Sequence, residues 1–465
     1  IYGADKDAVK IGTIINSNPK YKLLAYIDAD KKFYKRTINT IKVYRPEDIT
    51  KLKNKFNVSD IILGITHDDE RKKEIIKNLQ NYNLHIRKFS NLVESSEGSK
   101  FEIEDLSIDE LLGRDVVKND NNLLKKNIKG KNILISGAGG SIGSEIAREV
   151  VKLNPNRLIL FELNEYSLYN VEKELASIKN SNQIETTILP ILGNICDQNY
   201  LEHIIRENKV NSIFHAAAYK HVNLVEKNPL AGIKNNIFGT LSICMAAMKG
   251  KVDSFTLVST DKAVNPKNIM GKTKRVSEII LKSLSENTEN NLTTFSMVRF
   301  GNVLNSTGSV VPLFRNQIKD GGPITLTHRD VTRYFMTINE AALLVIQAGA
   351  MAKCGQLFIL NMGKPIKIID LAKRMIKLSG LRIKDNENPT GDIEIKIIGL
   401  SKGEKLHEKL IYNNNISKTI HPKIFSTSDF HLKWNILETH LHSLETYLLK
   451  GELTKCIEEI EMIIK

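Results

Sequence analysis

Short apolar runs alternate with amphipathic stretches along most of the chain, and the alternation predicts strands joined by helices. In the first 88 residues, Tyr21–Ile27 (YKLLAYI) and Asp60–Ile65 (DIILGI) read as strands. Lys42-Val43-Tyr44 lies between them, followed by a charged helical stretch from Pro46 to Phe56. The pattern resumes at Lys131. Asn132–Ser136, Arg157–Phe161, a strand ending near Gly193, Ser212–His215 and a strand from Phe255 alternate with helical segments to about residue 300. Strands separated by helices argue for parallel, doubly wound sheets, so the expected fold class is α/β. Beyond residue 300 the alternation weakens. From Asp429 to Lys465 the spacing of Leu437, Leu441, Leu444 and Leu448 predicts helices.

Residues 89–129 break the pattern. Ser95-Ser96-Glu97-Gly98-Ser99 is turn-like, Ile108–Arg114 reads as a short amphipathic helix closed by Gly113, and Lys118–Lys131 is polar and basic. This reads as a linker with one docking helix between a smaller domain (1–88) and a main domain (130–465).

Composition narrows the classes. With 67 Lys+Arg against 53 Asp+Glu the formal charge is +14. The basic residues are scattered and form no recognition motif, so no nucleic-acid partner is expected. Cys196, Cys244, Cys354 and Cys456 lie far apart, without CxxC or a Cys/His ladder. Neither a disulfide scaffold nor a metal site is expected. No run of about 18 apolar residues occurs, so the chain as given holds no membrane span. It opens Ile1-Tyr2-Gly3, straight into what reads as the end of a strand. The expectation is that a preceding segment is missing.

Two glycine patterns follow strands. Near the start, Gly3 and a strand ending at Asp28 mimic a dinucleotide site, but Asp5 and Asp7 stand where phosphate would need small, uncharged residues. A Rossmann-like domain without a competent dinucleotide site is expected there. In the main domain Lys131–Ser144 reads KNILISGAGGSIGS, placing Gly137, Gly140 and Gly143 between a strand and a helix. Glycines permit the tight turn and let pyrophosphate approach bare backbone, while the helix start around Ser141 and Ile142 offers unpaired N–H groups. Glu162, at the end of the next strand, suits a ribose diol and disfavours an extra phosphate, so NAD is the expected cofactor. Asn194 and Ile195 suit adenine, and Ala216-Ala217-Ala218 form a small-residue bed for a nicotinamide ribose.

Phe255–Lys274 reads FTLVSTDKAVNPKNIMGKTK. A strand brings Ser259, Thr260, Asp261 and Lys262 to its carboxyl end, where open α/β sheets bind ligands. Lys274 follows on the next helix.

These motifs, with His215–Val222 (HAAAYKHV), Asn236–Thr240 (NIFGT), Val298–Val303 (VRFGNV), Thr332–Met336 (TRYFM) and Gly403–Leu406 (GEKL), carry a resemblance. The chain resembles the extended short-chain dehydrogenase/reductases, and within them the UDP-N-acetylglucosamine 4,6-dehydratases of polysaccharide biosynthesis. The resemblance covers roughly residues 131–420. Most of that superfamily has Tyr-x-x-x-Lys, whereas here Met270 stands at the tyrosine position and cannot titrate. The large, membrane-anchored dehydratases are similar in having Met there; the C5-inverting soluble ones retain the tyrosine.

The resemblance implies an NAD part at about 130–300, a UDP-sugar part mostly in 301–425 and C-terminal helices at 429–465. It implies Asp261 and Lys262 as acid and base, with Asp261 protonating the departing C6 hydroxyl and Lys262 removing the C5 proton. Lys274 would hold the nicotinamide ribose, and Thr260 would relay the C4-hydroxyl proton. Asn302 and Arg333 look like diphosphate contacts, Val310, Pro312 and Phe314 a uracil wall, Glu404 a ribose contact, and Lys220 and Asn236 sugar contacts; ordinary surface and packing is the alternative for each. His215 and His221 read as structural. A homo-oligomer paired through two helices per subunit, and a place on the cytoplasmic side of a bacterial inner membrane through an N-terminal anchor, are further implications. The competing activities are a C5-inverting dehydratase or UDP-sugar 4-epimerase, and the non-enzymatic alternative is an NAD-sensing binding module.

Overall fold

The computed structural model describes residues 1–465 apart from 65–68, 80, 83, 90–102, 107–118, 288–291 and 413–415. The chain divides into two compact units. The larger comprises residues 116–308, 331–366 and 400–465. Its centre is a nine-stranded sheet. Seven of the strands are parallel: β1 (Asn132–Ser136), β2 (Arg157–Glu162), β3 (Thr187–Leu192), β4 (Ser212–His215), β5 (Ser254–Val258), β6 (Thr294–Arg299) and β7 (Gln356–Leu360). Two further strands, β8 (Ser417–Lys418) and β9 (Ile424–Thr427), extend the β7 edge antiparallel. The order is β8-β9-β7-β6-β5-β4-β1-β2-β3. Strand order reverses between β1 and β4, which opens a crevice at their carboxyl ends.

The interior strands are apolar on both faces because helices cover both. On one side α1 (Ser141–Val151), α2 (Glu165–Ser181) and α6 (Ile338–Met351) pack with Ile133, Ile135, Leu158 and Leu160. On the other, α3 (Gln198–Glu207), α4 (Gly239–Lys249) and α5 (Ile269–Glu286) pack with Leu134, Ile159, Ile213 and Phe255. The C-terminal stretch forms two helices, α7 (Trp434–Leu449) and α8 (Leu453–Ile464). Leu437, Leu441 and Leu444 are buried and Leu448 is half-buried, joined by Ile460 and Ile463 in the core over α5. In α5 only Lys272, Lys282 and Glu286 escape burial, so its own chain encloses it.

The smaller unit comprises residues 1–115, 309–330 and 367–399. Tyr2 bridges in parallel to both Leu63 and Ile27, so the first residues lie between the strands Tyr26–Ile27 and Asp60–Leu63. Of the expected strand Tyr21–Ile27 only its last two residues pair. Their parallel partner, Ile41–Tyr44, begins directly after a two-residue antiparallel strand, Thr37–Ile38, and in this register residues 21–23 fall before its start. His85–Phe89 pairs with Asp60–Leu63 and, antiparallel, with Ile103–Asp105. The sheet thus runs past residue 88 into the expected linker. The expected helix at Ile108–Arg114 lies outside the described residues, whereas Asn121–Lys126, read as polar linker, is a helix capped by Asp120 with Leu123 and Leu124 buried. The expected 301–425 substrate part is divided: 309–330 and 367–399 cluster with the smaller unit. There Ile324–Leu326 and Ile383–Lys384 flank Ile393–Ile397 in a parallel sheet.

At the start of the helix Lys6–Ser17, the Asp5 carboxylate accepts the Ala8 N–H at 3.0 Å, at the place a phosphate takes in a dinucleotide site. Asp28 accepts the backbone N–H groups of Ala4 and Asp30, both at 2.9 Å.

Candidate active site

The cradle forms where β1 turns into α1. Gly137 has φ +69°, and a Cβ there would lie 2.6 Å from the Ala217 backbone beyond β4. A Cβ on Gly143 would overlap the Gly137 carbonyl oxygen. The two loops at the crevice therefore touch through bare backbone, and α1 starts with no side-chain cap, leaving its first N–H groups for an anion. Ser141 and Ile142 are half-buried there. Glu162 Oε2 accepts the Gly139 N–H at 2.9 Å, and Oε1 accepts those of Leu163 and Asn164 at 3.0 Å. This fixes the carboxylate at the end of β2 with acceptor capacity remaining for a diol. Asn194 is exposed, while Ile195 is buried against Gly239, so Ile195 is core and Asn194 alone is open to an adenine. Ala216, Ala217 and Ala218 are half-buried in the loop after β4.

After β5 the chain makes a tight turn over Asp261–Ala263. Thr260 stabilises it by accepting the Lys262 N–H, and Asp261 N–H bonds Phe300 O at 3.0 Å. Asp261 is wholly buried. Its Oδ1 receives Lys262 Nζ at 3.0 Å and Thr260 Oγ1 at 2.9 Å. Its Oδ2 is buried without a hydrogen-bond partner among the described residues. Lys262 is 21% exposed, and its Nζ also donates to Asn302 Oδ1 at 3.2 Å. Asn302, expected on a diphosphate, thus stands beside the Asp261–Lys262 ion pair.

Lys274, on α5, is buried and donates to Val258 O at 2.8 Å. Burial pushes its ammonium down to about 8, with the Glu278 charge opposing. Met270 is buried one turn before it, among core residues. His215 is held by Ser136 Oγ (2.6 Å) and Thr240 Oγ1 (3.0 Å), and burial, helped by the Lys274 charge, lowers it to about 3. It is a neutral structural residue.

Behind the turn lies a charge cluster that the sequence did not reveal. Arg299 is fully buried and contacts Glu278 through Nε (2.7 Å) and Asp429 through a terminal nitrogen (2.6 Å). Arg275 reaches Glu278 at 3.2 Å. Glu278 also accepts Ser259 Oγ at 2.6 Å, one residue before Thr260. Burial raises the Glu278 carboxyl, but Arg299, Arg275 and Ser259 outweigh it and hold it below the ordinary range.

Three expected substrate contacts are otherwise engaged. Asn236 is buried, accepts Tyr219 N–H at 2.8 Å and donates to Tyr219 O and Thr273 Oγ1. Its amide clamps the loop after β4 and is not free for a sugar. Phe314 is buried with Val311 and Ile318 on one stripe of the helix Val310–Lys319, so it offers no face to a uracil; Val310 and Pro312 are half-buried on that helix. Arg333 is buried, donates to Thr332 O and Leu406 O, and pairs with Glu404 at 3.0 Å. Arg333 and Glu404 are thus brought together, and Lys220 is exposed on the loop after β4.

A family model described as polysaccharide biosynthesis protein matches residues 133–429. The capsular polysaccharide biosynthesis protein CapD of Staphylococcus aureus is 44% identical over 405 residues, 86% of this chain and 66% of that protein. The chain thus spans just under two thirds of that relative. An inverting UDP-N-acetylglucosamine 4,6-dehydratase of Campylobacter jejuni is 33% identical over 288 residues, 62% of this chain and 79% of the relative. Among solved structures, Pen from Bacillus thuringiensis aligns with a TM-score of 0.58 at 34% identity, over 64% of this chain and 90% of its own. The family match runs from β1 to Asp429 and takes in the cradle, the Asp261–Lys262 turn and the Arg333–Glu404 pair: the chain belongs to the polysaccharide biosynthesis protein family.

Proposed function

We propose that this chain is an NAD-dependent hydro-lyase, a UDP-N-acetylglucosamine 4,6-dehydratase that retains configuration at C5 and serves bacterial surface-glycan synthesis. The observation that carries the reading is the buried Asp261–Lys262 pair at the carboxyl edge of the sheet, on the strand next to the cradle loops, with Met270 where a phenol would stand. NAD fits the residues present: the overlap a Cβ would make at Gly143, the uncapped start of α1 and the fixed Glu162 carboxylate form a site for a pyrophosphate and an unphosphorylated ribose. Bound there, NAD supplies a hydride acceptor for C4 and a hydride donor for C6.

The chain's own part is proton handling. Moving one proton from Lys262 Nζ to Asp261 Oδ1 converts the ion pair into an amine and a carboxylic acid with no change in net charge. The amine removes the C5 proton of a 4-keto sugar. The acid protonates the departing C6 hydroxyl, which leaves as water. Ammonium and carboxylate are thereby restored. The Lys262 ammonium, whose protons exchange with solvent, then delivers a proton to C5. The C4-hydroxyl proton, released at the earlier oxidation, leaves to solvent with Thr260 Oγ1, at 2.9 Å from Asp261 Oδ1, as the relay, and a solvent proton restores the Lys262 ammonium at the end of the cycle. Because Asp261 is buried, Thr260 is also its route to the sugar. Arg333 and Glu404, paired with each other at 3.0 Å, are the groups suited to a diphosphate and a ribose once that pair opens.

Inversion at C5 is the competing reading, favoured by the Campylobacter relative; Met270, which cannot deliver a proton from a second direction, supports retention. Asp261→Asn tests the assignment. The variant should keep its bound nicotinamide and lose turnover; wild-type turnover in it refutes the role. Attachment to the cytoplasmic face of a membrane and a homo-oligomeric state belong to the same proposal. Among the described residues no helix is long and apolar enough to cross a membrane.

A further inference from the structure

Lys262 faces a second carboxylate on a segment far away in sequence. Residues 404–408 are held near the turn by Thr332 N–H to Leu406 O (3.0 Å) and by Thr332 Oγ1 with His407 Nδ1 (2.8 Å). Glu408 then lies with its side chain 4% exposed, Oε1 4.0 Å from Lys262 Nζ and Oε2 3.3 Å from Lys405 Nζ. Lys405 is itself anchored, donating to Val264 O at 2.7 Å just past the turn. Glu408 Oε2, like Asp261 Oδ2, is buried without a hydrogen-bond partner among the described residues. Two carboxylates and two ammonium groups thus alternate in a cluster of zero net charge.

We infer that Glu408 is a positioning residue for proton transfer: it holds Lys262 Nζ between two carboxylates, so that the nitrogen can leave Asp261 for the sugar without losing a counter-charge. The inference rests on Asp261 and Lys262 being the acid and base. With Asp261 alone, a half-buried ammonium would be locked against one carboxylate, because attraction across a few ångströms is strong where water is scarce. Glu408, on another segment, divides that attraction. The charged groups facing Lys262 are Asp261 on its own turn and Glu408 on the 404–408 segment, with Lys405 behind it; Asn302 and Thr260 are neutral. Neutralising Glu408 removes an anion beside Lys262 and leaves the Lys405 charge uncompensated. The Lys262 ammonium then loses one of its two counter-charges, while the nitrogen stays tied to Asp261.

The test uses the whole chain with its bound nicotinamide and UDP-N-acetylglucosamine as probe. In Glu408→Gln, kcat should fall about tenfold or more with KM within about twofold, and the acidic limb of the kcat–pH profile should move down by about one unit. Glu408→Asp should recover part of the rate and return the limb toward wild type. Wild-type kcat with an unmoved limb overturns the inference. So does a lower rate with an unmoved limb that aspartate does not repair, since that marks packing alone. If Glu408→Gln does not fold, Lys405→Met replaces it: an unpaired Glu408 should move the limb to higher pH, and an unmoved limb refutes the inference. A wild-type chain inert toward UDP-N-acetylglucosamine overturns the dehydratase reading, and this inference with it; an active wild type confines any failure to Glu408.

Discussion

Replacing Arg299 with leucine removes one of two guanidinium groups from the cluster behind the Asp261–Ala263 turn. Arg299 is fully buried, bonds Glu278 through Nε at 2.7 Å and lies 2.6 Å from Asp429. The variant leaves two buried carboxylates facing Arg275 alone. Removing one partner of a buried ion pair costs about 3–5 kcal/mol, because the remaining charge stays desolvated. In a unit of this size that lowers Tm by roughly 5–8 °C. The pH dependence gives the sign. In the wild type the Glu278 carboxyl is held low, since its charged and hydroxyl partners outweigh burial. Its stabilisation is present above the unfolded carboxylate pKa and is lost as pH falls through the lower folded value. In Arg299→Leu, burial instead favours the protonated carboxyl, so acid relieves the penalty. Thermal unfolding followed by circular dichroism should show the full loss near pH 8 and a smaller one near pH 5. The double variant Glu278→Gln/Arg299→Leu, which again pairs one cation with one anion, should recover part of the loss. A drop under about 2 °C, or an equal drop at both pH values, refutes the reasoning.

Other variants probe the cradle and the buried lysine. Gly143→Ala forces a Cβ into the Gly137 carbonyl oxygen, so the protein should purify without nicotinamide while its circular dichroism stays near wild type; full retention contradicts the cradle. Lys274→Met should lose turnover yet raise Tm, because burial that brings the ammonium from 10.5 to about 8 costs about 3 kcal/mol. The cost is fully present below about pH 8 and fades toward 10.5, so the gain should shrink across that window; a lower Tm at pH 7 contradicts it.

What the sequence discloses is what local pattern determines. Asn132–Ser136 and Ser212–His215 are strands with the expected ends, because a parallel strand covered on both faces needs an unbroken apolar run and loop residues bound it. The cradle is legible for the same reason: Gly137, Gly140 and Gly143 answer to local backbone geometry. The Asp261–Lys262 contact follows from adjacency at a strand end. Contacts between distant residues are another matter. Glu278, Arg299 and Asp429 are spread over three segments, and Glu408 reaches Lys262 across 146 positions of chain. Nothing in residue type distinguishes Glu408 from a solvated carboxylate on a charged segment. The same limit explains Asn236: it lies in a π-helical turn, Lys234–Phe238, which periodicity does not signal and which aims its amide at Tyr219. Leu123 and Leu124 were masked by the lysines and asparagines around them.

The most direct measurement is NMR of the product formed from UDP-N-acetylglucosamine in deuterated water with no added cofactor. The expected product is a 4-keto-6-deoxy sugar carrying one solvent deuterium at C5 with the starting configuration. A C5-inverted product contradicts retention, a C4 epimer without loss of water contradicts dehydration, and unchanged substrate contradicts the account as a whole.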